Sequence, residues 1–159
     1  MADKYFDNWA ALEAATKRAS KRILQRDVSP VAEEILRSHI ETDIYGVYRP
    51  KPNAWVNGTT YQRRHVLPAA VTSIFEGDDT LVVTSTAAPS RPVRPGASFS
   101  HSEPGAFLKL LQSGHMGIWR GGFARPAVRN TQQEVDGSPR IKQAILQGIK
   151  REIGNCNMT

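Results

Sequence analysis

Residues 69–86 contain two short runs in which apolar and polar side chains alternate, separated by a four-residue polar stretch. The first run, 71–75, reads VTSIF, and the second, 80–86, is rich in Val and Thr, which suit a pleated surface. The stretch between them includes Gly77, which can adopt a positive φ at little steric cost. The pattern predicts a β-hairpin that nucleates a small, mostly antiparallel sheet covered by helices.

Before the hairpin, helical periodicity predicts two helices. The first covers residues 5–26 and presents a narrow apolar seam in which positions alternate four and three apart: Tyr5, Trp9, Leu12, Thr16, Ala19 and Ile23. Ser29 and Pro30 predict a break and a restart, with the serine as N-cap and the proline at the first helical position. The second helix covers residues 30–45 with a buried stripe: Val31, Ile35, Leu36, Ile40 and Ile44.

After the hairpin, the pattern predicts a short helix, a strand and a C-terminal helical region. The short helix covers residues 104–111, with Phe107, Leu110 and Leu111 facing inward, and the strand covers residues 115–123. A further helix opens at residues 124–127, and Ser138-Pro139 restarts it as Ser29-Pro30 does upstream. The last helix carries an isoleucine every four residues and is closed by Gly154; these isoleucines are Ile141, Ile145, Ile149 and Ile153.

Two long stretches show no periodicity. Residues 46–64 contain closely spaced prolines and an Asn57-Gly58 turn signal, and residues 87–104 are rich in Pro, Ser and Gly. Loops this long are uncommon within compact domains and are usually functional or disordered. We therefore predict a single α+β domain with these parts: helices (1–45), irregular loop (46–64), hairpin (66–86), Pro/Ser-rich loop (87–104), helix–strand–helix (105–154) and tail (155–159).

Composition narrows the class of protein. The chain has 159 residues, and its hydrophobic content of 40% and charged content of 23% are ordinary for a globular domain, so wholesale disorder is not expected. The net charge of +6 favours contact with polyanions or acidic protein surfaces. Cys156 is the single cysteine, which excludes an internal disulfide and cysteine-based metal sites. No apolar run reaches the length of a membrane span, and the N-terminus lacks an apolar signal core, so we expect no membrane partner.

Two groups of basic residues are candidate nucleic-acid contacts. One lies in the second half of the first helix, where a solvated face is the favoured interpretation, and the other ends the irregular loop; the residues are Lys17, Arg18, Lys21, Arg22, Arg63 and Arg64. In that loop the cations are interleaved with Tyr48, Trp55 and Tyr61. Such a mixture can stack on single-stranded bases or anchor the loop to a neighbouring protein, and we favour the second interpretation.

Catalytic and metal-binding patterns are missing from the sequence. There is no glycine-rich phosphate loop, no His-Glu-x-x-His helix and no Gly-x-Ser-x-Gly elbow. His39 and Asp43 stand four apart and could share a metal ion, but a solvated helix face is the favoured interpretation. We therefore expect no enzyme activity and no cofactor.

Three short sequence features carry a resemblance to a known family. They are the Tyr61-Gln62-Arg63-Arg64 segment leading into the hairpin, the Gly117-Ile118-Trp119 strand, and Phe123-Ala124-Arg125-Pro126 at the start of a helix. Together with the order of elements, they make the chain resemble the tailed-bacteriophage putative tail-component family. Members of this family act as tail-completion or head–tail joining proteins of the phage neck. Many of them have a bulky aromatic after Arg-Pro, where this chain has Ala127.

The resemblance implies a structural virion protein without an active site, assembled in the host cytoplasm. Its partners would be further copies in a ring, the connector or head-closure protein, and the tail terminator or tail-tube protein, with genomic DNA passing through the lumen. The candidate interface residues are then Tyr48, Trp55, Tyr61, Arg91, Arg94, Trp119 and Arg125. A basic nucleic-acid-binding module and a tail terminator remain as alternative functions.

Overall fold

The computed structural model describes residues 8–47, 55–56, 59–60, 66–87, 105–113 and 126–153. It is mostly helical, with a long N-terminal helix, a two-stranded antiparallel hairpin and C-terminal helices, which confirms the predicted α+β class. The elements in chain order are α1 Trp9–Ile23, α2 Ser29–His39, β1 Trp55–Val56, β2 Thr59–Thr60, α3 Val66–Ala69, β3 Val71–Glu76, β4 Thr80–Ser85, α4 Ala106–Ser113, α5 Ala127–Gly137 and α6 Pro139–Ile153.

The predicted break between the two N-terminal helices is wrong, because the helical backbone continues from α1 into α2. A π-helical segment, Leu24–Val28, joins them, and a second one, Ile40–Gly46, extends α2. Ser29 has helical dihedral angles (φ −52°, ψ −50°), so it is not an N-cap. A proline inside a helix removes one N–H and crowds the carbonyl four residues earlier, and the wider π-turn before Pro30 accommodates both effects.

The start of α1 also differs from the prediction. Asn8 has an extended backbone (φ −161°, ψ 167°), and its side chain accepts a hydrogen bond of 2.8 Å from the amide of Ala11. The helix therefore begins at Trp9 rather than at Tyr5, and it begins with a side-chain cap.

The central hairpin is confirmed. β3 and β4 pair antiparallel in a register that runs from Val71 opposite Ser85 to Glu76 opposite Thr80. Gly77 turns the chain with a φ of 75°, as its position predicted. A second, smaller pairing lies in the stretch predicted to be irregular: β1 and β2 pair antiparallel and bracket the Asn57-Gly58 turn signal.

The C-terminal helices follow the prediction in outline. Pro126 precedes α5, and Ser138 separates α5 from α6 with an extended backbone (ψ 119°), so the Ser-Pro restart is confirmed here. α4 covers Ala106–Ser113 and buries Leu108 and Leu111. The predicted strand over residues 115–123, and Gly154, lie outside the described residues.

The predicted isoleucine stripe of α6 is only partly buried. Ile141, Ala144 and Gly148 are buried, whereas Ile145 and Ile149 are 36% and 38% exposed. The small residues face the core because α6 lies close against the N-terminal helix: a Cβ on Gly148 would lie 2.6 Å from Ile23 Cγ2. A side chain as large as isoleucine does not fit that contact, so the isoleucines at 145 and 149 turn outward.

Two apolar clusters on the long helix form the core. The first cluster joins the end of the helix to the hairpin, α4 and α5; its members are Leu36, Ile40, Ile44, Leu67, Val71, Leu108, Leu111 and Ala127. The second joins the middle of the helix to α6; its members are Ile23, Val28, Ala32, Ile35, Ile141 and Ala144. Four of the five predicted stripe residues of α2 are buried, and Val31 is half-buried.

Candidate functional site

Most of the predicted interface residues lie outside the described part of the chain. These are Tyr48, Tyr61, Arg91, Arg94, Trp119 and Arg125, together with the nucleic-acid candidates Arg63 and Arg64. Trp55 is described only as part of β1, where its Cα pairs with that of Thr60. The candidate surfaces that the structure describes therefore come from α1, the hairpin turn and α6.

The four basic candidates of α1 are described, and three of them pair with carboxylates. Lys17 lies 2.8 Å from Glu13, Lys21 lies 3.4 Å from Asp78 in the hairpin turn, and Arg22 lies 2.8 Å from Glu152 in α6. The fourth, Arg18, donates from Nε to the carbonyl of Ala14 at 3.1 Å. The Lys21 ammonium also lies 5.2 Å from the centre of the Phe75 ring. The first helix thus presents much less uncompensated positive charge than its sequence suggests.

The predicted seam of α1 is real as a helix face, but only its second half is buried. Ala19 and Ile23 are buried against the rest of the chain. Towards the N-terminus the same face is open: Trp9 is 84% exposed, Leu12 is half-buried and Thr16 is exposed. Two turns of amphipathic helix therefore extend past the core with their apolar side uncovered.

This open face continues into the hairpin turn. A shallow depression is lined by Trp9, Leu12, Glu13, Thr16 and Lys17, and a second one, lined by Thr16, Lys17, Ser20, Asp78 and Asp79, adjoins it. We call these two depressions together the α1 groove. It is apolar at the Trp9 end and acidic at the hairpin end, where Asp78 and Asp79 are exposed next to the exposed Glu76.

A second apolar surface lies on α6. Ile145 and Ile149 are joined there by Leu146, which is 57% exposed, and we call these three residues the α6 stripe. Lys142 lies within the stripe and Lys150 lies at its edge, since helical residues are spaced 100° apart. Among the residues the structure describes, neither lysine has a carboxylate within ion-pair distance.

Sequence reasoning missed the α6 stripe, although a signal was present. Ile141 and Leu146 are five residues apart, which places them about 140° apart around the helix. That apolar arc is wider than one packed helix face usually buries, so part of it had to face outward or meet another surface.

A polar network fixes the hairpin against α2. Glu33 accepts a hydrogen bond of 2.7 Å from Ser73 of β3 and one of 2.8 Å from Arg37, and Ser29 Oγ lies 2.7 Å from Ser73 Oγ. Burial by itself raises the pKa of Glu33, but hydrogen bonds from Ser73, Arg37 and Ser29 together outweigh it and hold that pKa below its ordinary value. This network explains why Ser29 is a buried residue and not a cap.

His39 does not lie on a solvated face, so the favoured interpretation of that residue is wrong. Its side chain is only 19% exposed and lies between two carboxylates: Nδ1 is 3.0 Å from Asp43 and Nε2 is 3.0 Å from Glu134 of α5. Asn130 also donates to Asp43 at 2.9 Å. The cluster ties α5 to the end of the long helix.

The described ranges contain no group of three or more His, Cys, Asp or Glu side chains arranged to hold a metal ion. Among the helices that the structure describes, none is long and apolar enough to cross a membrane. The described residues instead form two exposed apolar helix surfaces: the α1 groove, which lies beside carboxylates, and the α6 stripe, which lies beside lysines.

No protein-family model, no curated protein and no solved structure matches this chain.

Proposed function

We propose that this protein is a structural subunit of the neck of a tailed bacteriophage, a tail-completion or head–tail joining protein that works as a homo-oligomeric ring. The observation that carries the proposal is the pair of uncovered apolar faces, the α1 groove and the α6 stripe, on one small chain. Exposed large apolar side chains grouped on a helix face favour a protein–protein contact. The order of elements and the resemblance carried by the segments at 61–64, 117–119 and 123–126 point to the phage neck.

The mechanism is geometric and needs no reacting group. Helices and hairpin would form the wall of a ring that joins the connector to the tail, and residues 46–64 and 87–104, which the sequence predicts to be loops, would reach neighbouring subunits. DNA passes through the lumen without being read in sequence. Because Lys17, Lys21 and Arg22 each face a carboxylate of the same chain, this helix would hold DNA only loosely.

The same ion pairs weigh against the alternative of a nucleic-acid-binding module. A protein that binds through several phosphate contacts loses affinity steeply with salt, and that requires cations free to face phosphate. We expect weak binding to short DNA that is insensitive to substitution of Trp55. Tight binding that falls steeply with salt and with Trp55→Ala would favour the module instead.

The test of the proposed function is native mass spectrometry with negative-stain imaging of the full chain. It is measured alone and after co-expression with candidate connector and tail-tube proteins of a tailed bacteriophage. We expect closed rings, either of the chain alone or only with the connector. A monomer under both conditions that binds neither protein would contradict the neck function.

A further inference from the structure

The α1 groove and the α6 stripe are both helix surfaces of similar length, and their charges are complementary. The groove extends from Trp9 to Ser20, about 18 Å along the helix at 1.5 Å per residue, and the stripe with its lysines, 142–150, covers about 13 Å. The groove presents two large apolar side chains three residues apart, Trp9 and Leu12, and the stripe presents three, Ile145, Leu146 and Ile149, so the two surfaces suit helix-on-helix packing. One apolar helix face could therefore lie along the other over two to three turns.

Charge is complementary along the same line. The lining of the groove carries three carboxylates, those of Glu13, Asp78 and Asp79, against one lysine, Lys17, and Lys21 pairs with Asp78 beside it. Of these, Glu13 pairs with Lys17 at 2.8 Å, whereas Asp78 pairs with Lys21 only at 3.4 Å, with 88% of its side chain exposed. The stripe offers Lys142 and Lys150, both exposed. The groove thus has an acidic rim. The stripe has two lysines that have no carboxylate partner among the described residues.

The two surfaces cannot meet within one chain. The opposite edge of α6, at Gly148, already lies against Ile23, and Arg151 and Glu152 pair with Asp27 and Arg22. Around α6, Leu146 lies about 160° from Gly148, and Ile145 and Ile149 lie about 60° and 100° from it. Because α6 is already packed against residues 23–27, its stripe cannot also cover residues 9–20 of the same helix. Any partner that fits the groove in this way must come from another molecule.

We propose that the α1 groove of one copy receives the α6 stripe of the next copy, with Asp78 and Asp79 facing the lysine at one end of the stripe, since Lys142 and Lys150 lie about 12 Å apart along α6. The contact is heterologous, because it joins two different surfaces. Each copy uses its groove once and its stripe once, so repetition produces a closed ring or an open filament rather than a two-fold dimer. This inference rests on the proposed function, and it specifies which described surfaces close the ring.

Crosslinking between two different single-cysteine chains tests the contact directly. In a Cys156→Ser background, Thr16→Cys places a thiol in the groove and Ile149→Cys places one in the stripe, and the two chains are mixed and treated with a short bifunctional maleimide. We expect a mixed dimer from this pair. Gln147→Cys, exposed on the same helix about 160° from Ile149, is the matched control and should give no mixed product with Thr16→Cys.

Charge reversal tests the proposed ion pairs. Asp78→Lys with Asp79→Lys, or Lys142→Glu with Lys150→Glu, should each weaken association at least about tenfold, because each places like charges opposite one another. All four changes in one chain should restore association to within about threefold of the original. Lys109→Glu with Arg129→Glu, two exposed charges elsewhere, should leave association unchanged, and circular dichroism checks that every variant is folded.

The outcomes separate this inference from the proposed function. Rings that form with Thr16→Cys crosslinking only to itself, or without rescue by the fourfold variant, overturn the groove–stripe contact and leave the neck function standing. A chain that stays monomeric both alone and with the connector overturns both. Where rings form only with the connector, the crosslinking is carried out in that assembly. A mixed product of Thr16→Cys with Ile149→Cys then supports the contact, and its absence overturns it.

Discussion

The two halves of the long N-terminal helix have the same kind of sequence and opposite surroundings. In residues 9–18 the apolar face is uncovered, with Trp9 84% exposed, whereas in residues 29–46 it is enclosed, with Ile40 completely buried. Both halves show apolar residues three and four apart. The difference among the described residues is what lies opposite: the second half meets the hairpin, α5 and α6, and the first half adjoins the hairpin turn, where Thr16 and Lys17 line a depression with Asp78 and Asp79.

Amphipathic spacing therefore predicts which face of a helix is apolar, but it does not predict which element, if any, buries that face. A face that is covered within the chain contributes to folding, and a face left open is available for assembly. The two halves should therefore respond differently to mutation: the second through the free energy of unfolding, and the first through association.

The largest expected difference is between Ile40→Ala and Trp9→Ala. Ile40 is fully buried in the first core cluster, so its truncation leaves a cavity and should lower the free energy of unfolding by about 2–5 kcal/mol. Trp9→Ala should change it by no more than about 0.5 kcal/mol. Urea unfolding of dilute protein, followed by circular dichroism, measures both, and equal losses would abolish the distinction between the halves.

The next largest effect on stability is expected at the contact of α6 with Ile23, where the apolar face of the long helix first becomes buried. Gly148→Ala places a Cβ 2.6 Å from Ile23 Cγ2 and 2.9 Å from Asp27 Oδ2. Overpacking here should cost about 1–3 kcal/mol, which exceeds the gain of up to about 1 kcal/mol from replacing a helical glycine. Gly137→Ala is the control, since its Cβ would meet nothing within 4 Å. Stabilisation by both changes would show that α6 lies farther from the helix.

A smaller, pH-dependent effect is expected from the network that docks the hairpin on the covered half. The pKa of Glu33 is lower in the folded chain than its ordinary value, so the folded state binds this proton less readily than the unfolded chain does. Its contribution is therefore present above the unfolded pKa of about 4.3 and is lost as pH falls through the folded pKa.

The test variant is Glu33→Gln, which should cost about 1–2 kcal/mol at pH 7 and should flatten the loss of stability below pH 4.3. Chemical unfolding from pH 7 to pH 3 measures this. The neighbouring Glu34→Gln removes an ion pair with Arg140 whose carboxylate is 63% exposed, and it should cost less than about 1 kcal/mol. An unchanged acid slope in Glu33→Gln would contradict the assignment.

The smallest effect is expected at the ion pair between Asp27 and Arg151, which joins the π-helical segment to α6. The Arg151 guanidinium donates from Nη1 to Asp27 at 2.7 Å and holds the pKa of that carboxyl below its ordinary value. Because the Arg151 side chain is 34% exposed, a double-mutant cycle with Asp27→Asn and Arg151→Gln should give only a small coupling. The coupling should shrink from low salt to 1 M salt, and a salt-independent value would indicate a buried pair.

Local chemistry made the hairpin predictable. Its strands alternate, and Gly77 supplies the positive φ that the turn requires, so no distant residue is needed to decide the structure. The buried stripe of α2 was predictable for the same reason. The candidate surfaces were predictable only in part: the seam of α1 and the pairing of Lys17 with Glu13 follow from local spacing. The exposure at Trp9 depends on packing, and the compensation of Lys21 and Arg22 comes from groups 57 and 130 residues away.

The two Ser-Pro pairs show where local sequence is enough to place a helix start and where packing against other elements overrides it. Both sites fit the start of a helix by sequence, because the N–H of the first helical position has no partner within the helix and proline can stand there. At Ser138-Pro139 the chain does break, with Ser138 extended. At Ser29-Pro30 it does not, because a π-turn absorbs the proline and the serine hydroxyl bonds to Ser73 and Glu33. Those partners, like Ile23 opposite Gly148, belong to other elements, and only packing brings them within reach.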